Sequence, residues 1–181
     1  MQCRTFGPTS VVLPERLLAH GQARKVSGVW RPQVTTQRAF DHSHLEIVSN
    51  ADCLQMLRSV PLGRLVYTYG GLPAVRLVNF VLDDDTIVFS TGPGDKLRAA
   101  ERGDVVAFEA DDVDLERHTG WTITAVGHLS VATADETAAL RAALPLHSWL
   151  PLDDPQVVRM GIESLHGRRL LPWGQRPRAG G

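Results

Sequence analysis

The residues with the clearest potential for chemistry form one short run at positions 89–96, Phe-Ser-Thr-Gly-Pro-Gly-Asp-Lys. An apolar strand pattern ends there in a glycine-rich turn, and a helical pattern follows. The first N–H groups of a helix have no partner within it, and the helix dipole is positive at that end, so such a turn favours a bound phosphate. Thr91 adds a hydroxyl donor, and Lys96 adds a full positive charge.

This run differs from the Gly-x-x-x-x-Gly-Lys-Ser/Thr phosphate loop. Its glycines precede Lys96 at another spacing, and Leu97 stands where Ser or Thr is needed. Taken alone, the run also fits a surface turn with a solvated lysine. The residue types therefore leave both a phosphate site and a plain turn open.

Other residues with chemical potential give weaker signals. His118, His128 and His147 could serve as acids or metal ligands because histidine titrates near neutral pH, yet surface positions explain them equally well. His147, beside Trp149 in a proline-rich loop, is the strongest of the three. The acidic cluster at 111–116 lacks the calcium-loop spacing, and no Gly-x-Ser-x-Gly motif occurs. No metal site is predicted, and the catalytic residues stay unassigned.

The composition is that of one globular domain. The 181 residues are 43% hydrophobic and 22% charged, which is sufficient for a sizeable core. A net charge of -1 gives no electrostatic signature of a nucleic-acid or anionic-membrane partner. Cys3 and Cys53 lie far apart without ligand spacing, and no apolar run approaches the roughly 20 residues of a membrane span. We therefore expect a cytoplasmic protein.

Three segments are expected along the chain: a basic irregular arm at 1–44, one compact domain at 45–171 and a loose tail at 172–181. Residues 1–40 hold six Lys and Arg residues against the single acid Glu15. Such an arm is either solvated or docks on an acidic partner surface.

The hydrophobic patterns predict a mainly β domain with short helices, of the α+β class. Strands are expected at 63–68, 73–81, 86–91, 105–110, 120–132 and 157–170, with helices at 51–60, 95–100 and 135–143. Six short strands with brief connections favour a small closed barrel whose ends are covered by helices.

Four single residues give more local expectations. Asp95 and Asp135 are predicted to cap the second and third helices, because aspartate accepts hydrogen bonds from the first helical N–H groups. Gly127 indicates a bulge or a close backbone approach within its strand. The last strand is expected to break at Gly161.

An ordered series of motifs resembles the pyridoxamine 5'-phosphate oxidase-like family, closest to its actinobacterial branch, which also holds nitroimidazole reductase-like proteins. The resemblance covers roughly residues 45–170, and the motifs lie at 60–66, 71–80, 87–97, 106–112, 120–123, 126–128, 158–160 and 166–170. It implies a six-stranded antiparallel split β-barrel of the FMN-binding type. Proteins of this family hold FMN across a homodimer interface.

The resemblance also implies a set of cofactor-binding residues. The strand Val75, Arg76, Leu77, Val78 and Asn79 is expected to run along the isoalloxazine edge and to bind it through backbone groups. Thr91 and Lys96 are expected to hold the phosphate. Trp121 and Thr122 of the partner subunit are expected to cover the ribityl chain or the ring, and Arg168 is expected to reach the same pocket.

Two departures bear on the activity that the resemblance implies. Phe80 stands where the family's oxidases place a substrate lysine, and their C-terminal Arg-x-His pattern is absent. We therefore expect an FMN-dependent oxidoreductase acting on a small molecule other than a vitamin phosphate. The alternatives are a non-catalytic deazaflavin- or haem-binding module, with His147 as the candidate haem ligand, and a cofactor-free interaction protein.

Overall fold

The computed structural model describes residues 38–146, 148–149 and 151–176. The predicted basic arm up to residue 37, His147, and residues 177–181 of the predicted tail lie outside the described residues. Within the described part of the chain, no helix is long and apolar enough to cross a membrane.

Eight strands and three α-helices make up the described domain, so the fold class predicted from the sequence is confirmed. The helices are α1 (Asn50–Leu57), α2 (Asp95–Arg102) and α3 (Ala134–Ala143). The strands are β1 (Glu46–Val48), β2 (Leu62–Tyr69), β3 (Leu72–Asn79), β4 (Val81–Asp83), β5 (Thr86–Thr91), β6 (Val105–Asp114), β7 (Thr119–Val131) and β8 (Gln156–Leu170). A 3-10 turn at Trp173–Gln175 follows.

The strands form one antiparallel sheet in the order β3-β2-β6-β7-β8-β5-β4, with β1 paired to β8 beside β5. The long strand β8 pairs with β7 along one edge and shares its other edge between β5 and β1. Strands β3 and β4 stand at the two ends of this order, and within the described residues they do not pair with each other. The sheet is therefore a half-barrel of the split type, and the expectation of a closed barrel is wrong.

The strand count differs from the predicted six because two strands have only three residues. The return strand expected at 73–81 is divided near Phe80, so that Val81–Asp83 forms the separate strand β4. The strand β1 pairs with the end of β8. Patterns of alternation over three residues are too short to identify a strand from sequence.

Gly127 is confirmed as a site of close backbone approach. The β7–β8 register shifts between Val126 and Gly127, and a Cβ atom on Gly127 would lie 1.8 Å from the Gly161 carbonyl oxygen. A Cβ on Gly161 itself would meet nothing within 4 Å. The predicted break at Gly161 is wrong, because β8 continues through that residue. The register shift instead leaves Glu163 of β8 as the extra, unpaired residue two positions further on.

The core lies inside the curled sheet and beneath α1. Cys53 and Leu57 of α1 are fully buried. The other large, fully buried side chains of this cluster come from five strands: Leu65, Ile87, Phe89, Phe108, Ile123, Leu129 and Met160. A second, smaller cluster under α3 joins Val88, Leu140 and Val157. The sheet is thus packed on both faces, and β3 lies at its margin.

The cap of α3 also differs from the prediction. Thr133, not Asp135, is the N-cap: its hydroxyl accepts from the Glu136 N–H, and the Glu136 carboxylate accepts from the Thr133 N–H. This reciprocal capping box satisfies two N–H groups at once, whereas an aspartate at the cap satisfies fewer.

Candidate functional site

The outer edge of β3 is the first component of the candidate site. Tyr69 and Leu72 flank the two-residue loop Gly70-Gly71, so they form a hydrogen-bonded pair, and alternate pairs along the hairpin are bonded in the same way. The Phe80 N–H donates to the Pro61 carbonyl at 3.1 Å, as this alternation requires. Within the described chain β3 pairs with β2 alone.

It follows that the predicted cofactor strand is divided into two sets of residues. The backbone groups of Arg76 and Val78 are committed to β2, while those of Val75, Leu77 and Asn79 point off the free edge. The Val75 carbonyl accepts instead from the Arg76 guanidinium at 3.0 Å. The free edge therefore offers both donors and acceptors to a ligand that lies along it.

The side chains of β3 point to opposite faces in turn. Val75 and Leu77 are 52% and 63% exposed on the outer face. Val78 is buried in the core, and Arg76 lies on that same side of the strand. The Asn79 amide oxygen accepts from the Trp149 N–H at 3.4 Å. Val75 and Leu77 thus form an exposed apolar surface on one face of β3, and Arg76 places a positive charge on the other face.

The turn at 91–96 is the second component. Thr91 is 4% exposed, and its hydroxyl donates to the Gly92 carbonyl at 3.3 Å. The N-cap of α2 is Gly94, and no side chain caps this helix. The N–H groups of the first turn are therefore open to an external acceptor. Lys96 is half-buried and has no hydrogen bond or salt bridge among the described residues.

The prediction of Asp95 as the N-cap of α2 is wrong. Asp95 is the first helical residue, and its carboxylate accepts from the Tyr67 hydroxyl at 2.6 Å and from the Arg76 guanidinium at 3.3 Å. The β2–β3 hairpin thus supplies two side-chain donors to this carboxylate, and Asp95 forms no side-chain cap of α2. This cluster ties the turn that holds Thr91 and Lys96 to the inner side of β3.

Both acids of this cluster have shifted pKa values. Burial, together with the hydrogen bond to Asp95, raises the pKa of Tyr67 from 10.0 to about 12. The hydrogen bond from Tyr67 lowers the pKa of Asp95 below its ordinary value, and the positive charges of Arg76 and Lys96 add to this effect. At neutral pH the pair is a neutral phenol that donates to a carboxylate.

The other predicted residues lie on β7 and β8, away from β3. Two strands, β2 and β6, separate β3 from β7 in the sheet. Thr122 and Arg168 are cross-strand partners. The Thr122 hydroxyl donates to Glu109 at 3.0 Å, and the Arg168 guanidinium donates to Asp41 at 2.8 Å.

Trp121 lies on the opposite face of β7 from Thr122. It packs at the margin of the core and lines a pocket of about 510 Å³. Within one chain, therefore, the predicted residues form two separate groups: β3 with the 91–96 turn, and the β7–β8 residues.

Sequence reasoning missed Tyr67 as a member of the site. The available signal was alternation in β2, which places Tyr67 on the same face as the buried Leu65. A buried tyrosine hydroxyl needs a hydrogen-bond partner. Asp95 is that partner, but it lies 28 positions away in the sequence, so no local pattern identifies it. Among the described residues, no group of histidine, cysteine and acidic side chains could hold a metal ion.

Comparison with known proteins places this arrangement in a family of split barrels. The sequence model of the pyridoxamine 5'-phosphate oxidase family matches residues 49–169, and the chain belongs to that family. It is 33% identical over 149 residues to the uncharacterized protein Rv0080 of Mycobacterium tuberculosis, covering 78% of this chain and 97% of that protein.

Two solved structures show the same fold. The FAD binding protein from Mycobacterium smegmatis is 32% identical, with a TM-score of 0.60 and coverage of 68% of this chain and 96% of that one. The FAD and heme binding protein from the same organism is 17% identical, with a TM-score of 0.56 and coverage of 72% and 75%. The second likeness supports the fold alone.

Proposed function

We propose that this protein is a flavin-dependent oxidoreductase that acts on a small molecule. The cofactor would be a flavin that contains flavin mononucleotide, which is the whole of FMN or one half of FAD. The flavin ring would lie along the free edge of β3, and the phosphate of the mononucleotide would lie at the 91–96 turn. The observation that best supports this is the link between these two elements, in which Asp95 bonds both Tyr67 and Arg76. The 32% identical mycobacterial relative is an FAD binding protein, which agrees with a flavin.

The residues present fit such a cofactor. The flavin ring has an edge of alternating donors and acceptors, and Val75, Leu77 and Asn79 offer both kinds of backbone group along one line. The uncapped N–H groups of α2 and the charge of Lys96 suit a phosphate. When bound, the flavin supplies hydride or electron transfer, and the protein supplies orientation and exclusion of water.

We further propose that two copies of the chain complete the site. Val75 and Leu77 present exposed apolar side chains beside the free edge, and burial of such surface favours association. In one chain Trp121 and Thr122 lie three strand positions from β3. A two-fold dimer would bring these residues from the partner and create two equivalent sites. Light scattering should report a dimer at micromolar concentration, and a monomer would contradict this part of the proposal.

Turnover distinguishes an enzyme from a carrier or sensor. Flavin-loaded protein is mixed without oxygen with NADH, NADPH or a reduced deazaflavin, and bleaching of the flavin absorbance is followed. Small nitroaromatic and quinone compounds are then added. Reduction by a donor followed by reoxidation by an added compound supports the oxidoreductase. A bound flavin that no donor reduces would favour a non-catalytic module.

A further inference from the structure

A pocket opens past the end of the free edge of β3. It has a volume of about 420 Å³, which is within the range of small-molecule sites. Asn79, the last residue of that edge, lines the pocket, whereas Val75 and Leu77 do not. The rest of its described wall comes from the end of α1, the turn before β2, the strand β4 and the segment after α3. A ligand in this pocket therefore lies next to the proposed flavin position.

Most of the wall is apolar, and part of it is fixed by the core. Leu57 and Phe80 are buried, and the Phe80 ring packs edge-on against Phe108 with 4.8 Å between the ring centroids. Trp149 lies at the rim with 62% of its surface exposed, and its backbone N–H donates to the Asn79 amide oxygen at 3.4 Å. An exposed indole offers a flat apolar surface to another conjugated ring. The wall thus favours a flat conjugated molecule.

Arg58 is the one charged residue among the described residues that line the pocket. Its guanidinium donates to the Asp84 carbonyl at 3.0 Å and forms no ion pair within the described chain. A guanidinium has five N–H donors, so several remain for a ligand. The Leu54 and Met56 carbonyls at the end of α1 accept from the backbone N–H groups of Arg58 and Ser59, so the chain itself satisfies them. The pocket therefore offers a ligand one positive charge that has no carboxylate partner.

From these features we infer that the pocket binds a flat conjugated monocarboxylate and that this is the substrate class of the protein. The inference rests on the proposed flavin function, which it deepens by naming the substrate. A carboxylate is planar and matches the fork of the Arg58 guanidinium with two parallel hydrogen bonds. A neutral molecule leaves that charge unmatched, and a dianion brings a second charge against an apolar wall.

Calorimetric titrations with a matched pair of probes test the charge. The full chain, freed of flavin, is titrated with 1-naphthoate and with 1-naphthamide, which share a flat ring system and differ in charge. The inference predicts that the naphthoate binds about tenfold more tightly, as expected for a charge-assisted hydrogen bond. Flavin-loaded protein should bind the naphthoate at least as tightly, and the flavin absorbance bands should shift without release of the flavin.

Arg58→Gln links the discrimination to the pocket. Naphthoate affinity should fall about tenfold, while naphthamide affinity stays unchanged, which also shows that the variant is folded. The matched control is Arg141→Gln. Arg141 likewise donates to a backbone carbonyl, that of Pro155 at 2.9 Å, but it does not line the pocket. This control should leave both affinities unchanged.

Trp149→Leu tests the flat surface at the rim. The substitution keeps the backbone N–H that Asn79 accepts from, so only the indole is lost. Both probes should bind about three- to tenfold more weakly, because stacking on the indole does not depend on the charge of the ligand. Unchanged affinity for both probes would mean that the ligand does not lie against Trp149, which would overturn the placement.

The outcomes separate the inference from the proposed function. Equal affinities for the two probes, a preference for naphthoate that survives Arg58→Gln, or release of flavin by naphthoate would overturn the inference and leave a flavin protein. Protein that binds naphthoate through Arg58 and binds no flavin would overturn the proposed function, and the carboxylate would then be a ligand without being a substrate.

Discussion

Tyr67 and Asp95, which are 28 positions apart, meet through a hydrogen bond of 2.6 Å between the Tyr67 hydroxyl and the Asp95 Oδ2 atom. Tyr67 is 3% exposed on the inner face of β2, and Asp95 begins α2. This contact fixes the start of α2 against the hairpin whose outer strand is β3. The position of the 91–96 turn relative to β3 therefore depends on this buried phenol together with the Arg76 contact to the same carboxylate.

An alkaline titration tests this pair. Because the folded pKa of Tyr67 is raised from 10.0 to about 12, its neutral form is favoured in the native state. The resulting stabilisation is complete below pH 10 and is lost as the pH rises from 10 to about 12. Tyrosinate absorbance should show one phase near pH 12, which disappears in Tyr67→Phe. Ionisation of both tyrosines in one ordinary phase would contradict the contact.

Tyr67→Phe also tests the energetic role of the bond. Loss of a hydrogen bond to a charged group should lower the free energy of unfolding by about 1.5–3 kcal/mol. Urea denaturation provides the measurement, with Tyr69→Phe as the control because Tyr69 is 52% exposed. Similar effects of the two substitutions would show that the Asp95 contact contributes little.

Lys96→Met should weaken flavin binding by about 10- to 100-fold, which corresponds to the loss of one charge-assisted hydrogen bond. Fluorescence titration gives the affinity. The control is Arg102→Met, which removes the same charge from the opposite end of α2, where Arg102 pairs with Asp104. If both variants bind flavin like the unaltered protein, the phosphate does not lie at the 91–96 turn.

Leu77→Pro tests the free edge of β3. The substitution removes an N–H that points away from β2, and Pro73 already occupies an equivalent position in the same strand. Flavin affinity should fall about tenfold while the fold keeps its stability. Val78→Pro removes a ladder N–H instead and should destabilise the fold by about 1 kcal/mol or more. Unchanged binding by a folded Leu77→Pro protein would place the flavin elsewhere.

The close approach of Gly127 to Gly161 gives a prediction about stability that does not depend on the proposed function. Gly127→Ala should cost about 1–3 kcal/mol, because its Cβ would lie 1.8 Å from the Gly161 carbonyl oxygen. Gly161→Ala meets open space and should be neutral or slightly stabilising. Thermal melting of the two variants is the measurement. Equal melting temperatures would mean that β7 and β8 do not approach in this way.

The sequence was sufficient to predict those elements whose patterns are long. The 13-residue strand β7 and the close approach at Gly127 were predicted because alternation over many residues is unambiguous and glycine has few reasons to interrupt it. Strands of three residues, such as β1 and β4, have no such period. Their formation depends on the neighbouring edge of the sheet, which is a tertiary feature.

The candidate site was predictable in its parts and not in their connection. Local residue types predict Thr91 and Lys96 as phosphate ligands, since a glycine-rich turn before a helix is a local signal, and this stays a prediction. The sequence predicts Asp95 as the helix cap because caps are also local, whereas in the structure its carboxylate accepts from Tyr67 and Arg76. Which donors a carboxylate accepts from depends on residues that are distant in sequence, and the periodicity of the sequence does not identify those residues.

The most direct test of the central claim is the amount of flavin that the protein retains. Purified protein is incubated with excess FAD or FMN, passed through gel filtration, and its flavin absorbance is compared with its protein concentration. The account predicts about one flavin per chain, since a two-fold dimer has two equivalent sites. Colourless protein that elutes without flavin, and whose addition leaves the fluorescence of free flavin unchanged, would contradict it.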